Sequence, residues 1–159
     1  MKFGPDFEYG NKEAYVGYLP DQNALLTGFS VLHESGVGGA AKYGVVSQMP
    51  AVGTPDPFTN ISAKRARPDE GSVGYFKTSL ENGIVVELAG GAHSAFYEYT
   101  FPAGRSNSIV VDISHVLPSF RGSGWGQKYH GGLINVGSQG NYTGKATYSN
   151  GWNLCTHLI

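Results

Sequence analysis

The sequence is poor in charge, in cysteine and in long apolar runs, and each shortage removes a class of function. Charged residues make up 14% of the 159 positions, with 11 Lys+Arg against 12 Asp+Glu and a net charge of −1. An ordinary soluble domain carries about 25% charge. Without a basic excess there is nothing to neutralise a row of phosphates, so no nucleic-acid partner is expected. No apolar run approaches the roughly 18 residues of a membrane span, so no membrane partner is expected either. A single cysteine, Cys155, excludes an internal disulfide framework and a cysteine zinc cage. The five histidines (33, 93, 115, 130 and 157) are scattered rather than set at zinc-ligand spacing. Residues 1–8 hold no apolar stretch of about 7–15 residues of the kind found in a secretory leader. They open on Gly4-Pro5-Asp6, which reads as a turn. Either the chain is cytosolic or it begins part-way into a longer protein.

What is abundant is glycine (24 residues) and tyrosine (10), in a chain that is 40% apolar, which argues against disorder. Helical 3-4 spacing is nearly absent, and short β-branched and aromatic runs bounded by turn residues take its place. The runs at 14–19, 25–30 and 43–48 read as strands. Residues 49–57 carry Pro50, Pro55 and Pro57 and read as a loop barred from a central strand, because proline lacks the ladder donor. The span 73–101 reads as a three-strand meander. It turns at Glu81-Asn82-Gly83 and Gly90-Gly91, with Ile84, Val86 and Leu88 on one face. In the third strand Ala95, Tyr97, Tyr99 and Phe101 alternate with polar residues. Runs at 108–113, 133–136 and 142–148 complete about nine strands, with no linker and no internal repeat. Evenly spaced short strands with glycine turns predict one all-β domain, an antiparallel β-sandwich.

The loops hold the candidate chemistry. Gly36-Val37-Gly38-Gly39-Ala40-Ala41 has the letters of a dinucleotide fingerprint but runs into a strand-like segment instead of a helix, which removes the phosphate-binding helix end. His33-Glu34-Ser35 stands just before it, and His33 and Glu34 suit hydrogen bonding to a sugar or helping to hold a cation; an ordinary surface loop is the alternative. Residues 121–132 form a second glycine-rich loop, in which Trp125, Tyr129 and His130 offer faces for stacking on a sugar, or Trp125 is a packing anchor. No Gly-x-Ser-x-Gly elbow supports triad catalysis. The basic run 63–67 is followed by Asp69 and Glu70 and reads as a solvated loop. Asn60-Ile61-Ser62 and Asn141-Tyr142-Thr143 are glycosylation sequons.

Taken in order, several of these pieces resemble the N-terminal β-sandwich domain of glycoside hydrolase family 92, the calcium-dependent exo-acting α-mannosidases. The segments are Lys2-Phe3-Gly4-Pro5-Asp6, the run Thr27-Gly28-Phe29-Ser30-Val31-Leu32-His33-Glu34-Ser35-Gly36-Val37-Gly38, Gly74-Tyr75-Phe76, residues 96–102, Val110-Val111-Asp112-Ile113-Ser114-His115 and Asn150-Gly151-Trp152-Asn153. Val31 stands where the family often has its first motif histidine, so only His33 carries over. The resemblance covers 1–153, with 154–159 as a divergent tail, and implies a piece truncated at both ends with an unpaired strand edge near Tyr148.

The resemblance further implies a galactose-mutarotase-like supersandwich. An inverting glycosidase needs two carboxyl groups about 6.5–9.5 Å apart. In this family those groups and most calcium ligands belong to a C-terminal (α/α)6 domain, so this chain alone is expected to be inactive and to need no cofactor of its own. Its expected contributions to a mannose-containing glycan site are His33, Glu34, Ser35, Gly36, Gly38 and Gly39 of the first loop, with Trp125 and His130 of the second. Secretion is the expectation for the full-length protein.

Overall fold

The computed structural model describes residues 3–8, 18–30, 32–33, 44–45, 47–116, 128–150 and 153–158. Among them there are thirteen strands, one 3-10 turn at Ser138–Gly140 and no α-helix. The strands are β1 (Gly4–Phe7), β2 (Leu26–Ser30), β3 (Leu32–His33), β4 (Gly44–Val45), β5 (Ser47–Val52), β6 (Glu70–Ser72), β7 (Tyr75–Ser79), β8 (Val85–Gly90), β9 (Ala95–Thr100), β10 (Asn107–Asp112), β11 (Lys128–Val136), β12 (Tyr142–Asn150) and β13 (Asn153–Leu158).

Two four-stranded sheets, ordered β1-β2-β5-β10 and β6-β7-β8-β9, form the sandwich. All their pairings are antiparallel. Both contribute to one core: Phe7, Leu26, Phe29 and Met49 from the first meet Val86 and Leu88 from the second, with Ile84 just ahead of β8. Burying each such side chain contributes about 1.5–3 kcal/mol. Tyr97 and Tyr99 of β9 pack on this core and reach across it, Tyr97 donating to the Phe29 carbonyl (3.4 Å) and Tyr99 to Oε1 of Gln48 (3.0 Å). A third sheet, β11-β12-β13, lies beyond β10, where Gln48 donates to the Tyr142 hydroxyl (2.9 Å) and the Tyr148 hydroxyl donates to the Ile113 carbonyl.

The meander follows the sequence pattern. Ile84, Val86 and Leu88 are buried, and β9 alternates half-buried and exposed from Ala95 to Thr100. The hairpin before Ile84 closes through Leu80 and Ile84, with Gly83 at φ +89°. Of the Asn-Gly pair only the glycine is left-handed, as in a three-residue loop that ends on a bulge.

Other expectations need correction. Gly4-Pro5-Asp6 is not a turn but part of the edge strand β1, where a missing donor is tolerated. Residues 49–52 are not loop: they belong to β5, which lies between β2 and β10. Gly53 donates to the Ser106 carbonyl (2.7 Å), so by ladder alternation the odd residues of β5 bond to β10. Pro50 therefore turns its nitrogen toward the β2 side, where the only pair is Phe29 with Gln48, and no ladder bond is lost. Tyr18 and Leu19 lie outside any strand, and the rest of the predicted strand 14–19 falls outside the described residues. The segment 128–132 is strand rather than loop, and the β12 edge at Tyr148 is paired, opposite His157 of β13.

Candidate functional site

The chemistry-bearing cluster in the described structure centres on Asp6. Its side chain is fully buried on β1, opposite Gly28 of β2. Alternation along β2 sends Gly28 and Ser30 to one face and Phe29 to the other, where Phe29 enters the core. On the Asp6 side the Ser30 hydroxyl donates to Oδ2, and the Ser47 hydroxyl of β5 reaches the same oxygen at 3.4 Å. Gly28 is what lets these groups converge. A Cβ there would stand 2.2 Å from the Ser47 hydroxyl and 3.4 Å from Asp6 Oδ2. The Gly-Phe-Ser run thus has a local physical meaning: room, a core anchor and a carboxylate ligand.

His115 closes the cluster. It follows β10 in a turn set by Asp112, whose Oδ1 accepts from the amide (2.8 Å) and hydroxyl (2.6 Å) of Ser114. Its Nε2 lies 3.2 Å from Asp6 Oδ2. At that distance the imidazole and the buried carboxylate form an ion pair when the ring is protonated. Burial by itself would lower the imidazole pKa. The Asp6 carboxylate in contact with it, assisted by Asp112, outweighs burial and raises it above the ordinary histidine value.

A cleft of about 290 Å³ opens beside this pair, with Phe7, Met49 and Val110 as apolar lining and Glu8, Thr27, Asn60, Asp112 and His115 as polar lining. Apolar surface with a few convergent polar groups and a perturbed histidine is the usual make-up of a small-ligand site. Carboxylate, amide and hydroxyl groups together suit a polyhydroxylated ligand. Among the described residues no three His, Cys, Asp or Glu side chains are grouped as metal ligands.

The site residues expected from sequence are only partly placed. His33 ends β3, its backbone paired with Gly44, three positions after Ser30 of the Asp6 cluster. Glu34, Ser35, Gly36, Gly38, Gly39 and Trp125 lie outside the described residues. His130 is on strand β11 rather than in a loop, and its Nε2 sits 2.6 Å from the Ser149 hydroxyl across the hairpin. The structure does not bring His130 into the Asp6 cleft. Sequence pattern alone does not mark Asp6, Asp112 and His115 as site residues, although both of their segments stand among the ordered motifs; that co-occurrence is the available signal.

A second buried ionic cluster is a scaffold feature. Arg65, with no exposed side-chain surface, pairs with Asp69 (2.8 Å) and donates to the backbone carbonyls of Leu19 (2.8 Å) and Asp21. Its guanidinium lies 5.0 Å from the Phe7 ring centroid. Burial, with the Asp69 hydrogen bond, pushes the neighbouring Tyr18 up to about 12. The run 63–67 is therefore not simply a solvated loop: Arg67 and Glu70 are exposed, but Arg65 is an internal tie.

Comparison with known proteins gives two findings. The family profile described as "Glycosyl hydrolase family 92 N-terminal domain" matches residues 1–157. A protein of Arthroderma benhamiae named "Uncharacterized secreted glycosidase" is 29% identical over 126 residues, which cover 67% of this chain and 16% of that protein.

Proposed function

The chain belongs to glycosyl hydrolase family 92 as its N-terminal domain, and from that premise we propose that it is the sandwich portion of an exo-acting α-mannosidase. Its substrates are α-mannosidic linkages in mannose-containing glycans. In this reading the chain supplies loops to the substrate site and an interdomain face. The catalytic carboxylates and the calcium ligands belong to a partner (α/α)6 domain. The chain spans only 16% of its glycosidase relative, which leaves room for such a domain in the whole protein. Secretion of the whole protein is part of the same reading, in line with the relative's name.

The observation that carries the reading is convergence. Asp6, Gly28, Ser30, Asp112 and His115 come from three separate motifs of the family resemblance, and the fold gathers them beside one cleft. A second feature supports the interdomain role. Ile109 and Val136 are exposed, and both line a groove of about 610 Å³ between β10 and the β11-β12 hairpin. Exposed apolar surface of this kind marks contact sites.

The test is complementation. The chain is co-expressed with a family 92 (α/α)6 domain, and mannose release from α-mannosides is measured with and without a chelator. Release that needs both polypeptides, and stops on chelation, is the expected result. Mannose release by the purified chain alone, or no gain from adding it, would overturn the proposal. Saturable mannoside binding by the chain together with no gain would instead favour a free-standing carbohydrate-binding sandwich.

A further inference from the structure

The loop between β5 and β6 carries a feature that neither the core nor the Asp6 cluster explains. Phe58 is 96% exposed. An aromatic ring left in water forfeits the burial that ordinarily accounts for its presence. The loop around it is nonetheless built. Asp56 Oδ1 accepts from the Phe58 amide (2.9 Å), and the Asp56 carbonyl accepts from the Thr59 hydroxyl (2.8 Å) and amide (3.2 Å). This turn holds Phe58 two positions ahead of Asn60, the first residue of the sequon Asn60-Ile61-Ser62. Asn60 and Ser62 are both exposed, and neither lies in a strand. Two peptide units place the Cα atoms of Phe58 and Asn60 no more than about 7 Å apart. That is within reach of a sugar ring attached to the asparagine amide.

We propose that Asn60 is an N-glycan attachment site and that the first N-acetylhexosamine stacks its apolar C–H face on the ring of Phe58. The linkage joins the asparagine side-chain nitrogen to the sugar's anomeric carbon, and the lipid diphosphate of the activated oligosaccharide donor is the leaving group. An electron-rich ring against a sugar C–H face is a favourable contact, and it gives the bare phenyl a partner. Because Asn60 also lines the Asp6 cleft, the glycan rises from the cleft rim.

The second sequon differs. Tyr142 and Thr143 are paired in the β11-β12 hairpin with Val136 and Asn135, and the Asn141 carbonyl accepts from the Gly137 amide (2.7 Å). The hydroxyl residue of this sequon, Thr143, is thus held in a strand, whereas Ser62 lies in none. The geometry therefore assigns the glycan to Asn60 and not to Asn141.

This inference rests on the secretory reading of the whole protein, but its readout is independent of mannosidase activity. The full chain is secreted from a eukaryotic host behind a supplied leader. Intact mass is then measured before and after peptide-N-glycosidase, with deglycosylation in heavy-oxygen water to mark the site. The expected result is one glycan, located at Asn60. It is lost in Asn60→Gln and in Ser62→Ala, which keeps the asparagine, and is retained in Asn141→Gln. Glycosylated wild type melts about 2–4 °C above its deglycosylated form, and Phe58→Ala removes that difference. An unoccupied Asn60 overturns the site. A glycan-dependent Tm gain that survives Phe58→Ala overturns the stacking.

Discussion

Replacing Gly28 with alanine adds one methyl group to the wall of the Asp6 cluster, and the structure fixes what that methyl meets. The new Cβ stands 2.2 Å from the Ser47 hydroxyl, far inside contact distance, while Asp6 Oδ2 at 3.4 Å and the Ser47 Cβ at 3.6 Å are near ordinary contact. Gly28 has no positive φ, so alanine's backbone preference is not the obstacle. The clash forces the buried Ser47 hydroxyl to turn away or the strands to part. Overpacking of this kind costs about 1–3 kcal/mol. Loss of the Ser47 contact to Asp6 adds on the order of 1 kcal/mol. Alanine in place of glycine returns about 0.5–1 kcal/mol of backbone entropy. The net expectation is a destabilisation of about 1–3 kcal/mol, or a Tm lower by about 3–10 °C for a chain of this length. The assay is urea and thermal unfolding followed by near-ultraviolet circular dichroism, on wild type, Gly28→Ala, Ser47→Ala and the double variant. Ser47→Ala removes the clashing oxygen, so Gly28→Ala should cost little in that background. Equal cost in both backgrounds, or a single-variant effect under about 0.5 kcal/mol, would refute the reasoning.

Two further outcomes follow from the buried ionic groups. Because the folded pKa of His115 is raised, its stabilisation is whole below the ordinary histidine value near 6.5 and is lost as pH climbs through the folded value. Unfolding free energy measured from pH 5.5 to 9 should therefore fall more steeply for wild type than for His115→Gln, and parallel profiles would contradict the Asp6 pairing. Arg65→Ala leaves Asp69 buried without its cation, so a loss of about 3–5 kcal/mol is expected in urea unfolding. Arg65→Lys should recover little, because one ammonium cannot bond Asp69 and two backbone carbonyls in the same geometry.

The second sheet was readable from sequence because its signals are local. Ile84, Val86 and Leu88 alternate within five residues, and Gly83 marks the turn that feeds them. Pro50 was misread because the absence of an amide donor matters only if that donor faces a partner, and which way it faces depends on the register with β10. His130 reads as a loop residue because it falls in the glycine-rich run 121–132. In the fold, Gly132 serves close packing: a Cβ there would meet the Lys145 carbonyl at 2.6 Å and Ile113 Cδ1 at 3.0 Å. Asp6 could be recognised as part of a motif but not as a buried ion pair. Its partners Ser30, Ser47 and His115 arrive from later strands and turns, and no periodicity in the chain announces them.

The placement of β5 also has a consequence for how the polypeptide emerges from the ribosome. Val52 must wait for Asn107, 55 positions later, before the far edge of β5 is capped. At about 5–20 residues per second that is several seconds of translation. Throughout that interval the nascent first sheet offers a bare hydrogen-bonding rim, while the meander between β5 and β10 can already close on itself. Assistance from a holdase would matter most in this window, and slowing elongation between these codons should lengthen the exposure and lower the soluble yield.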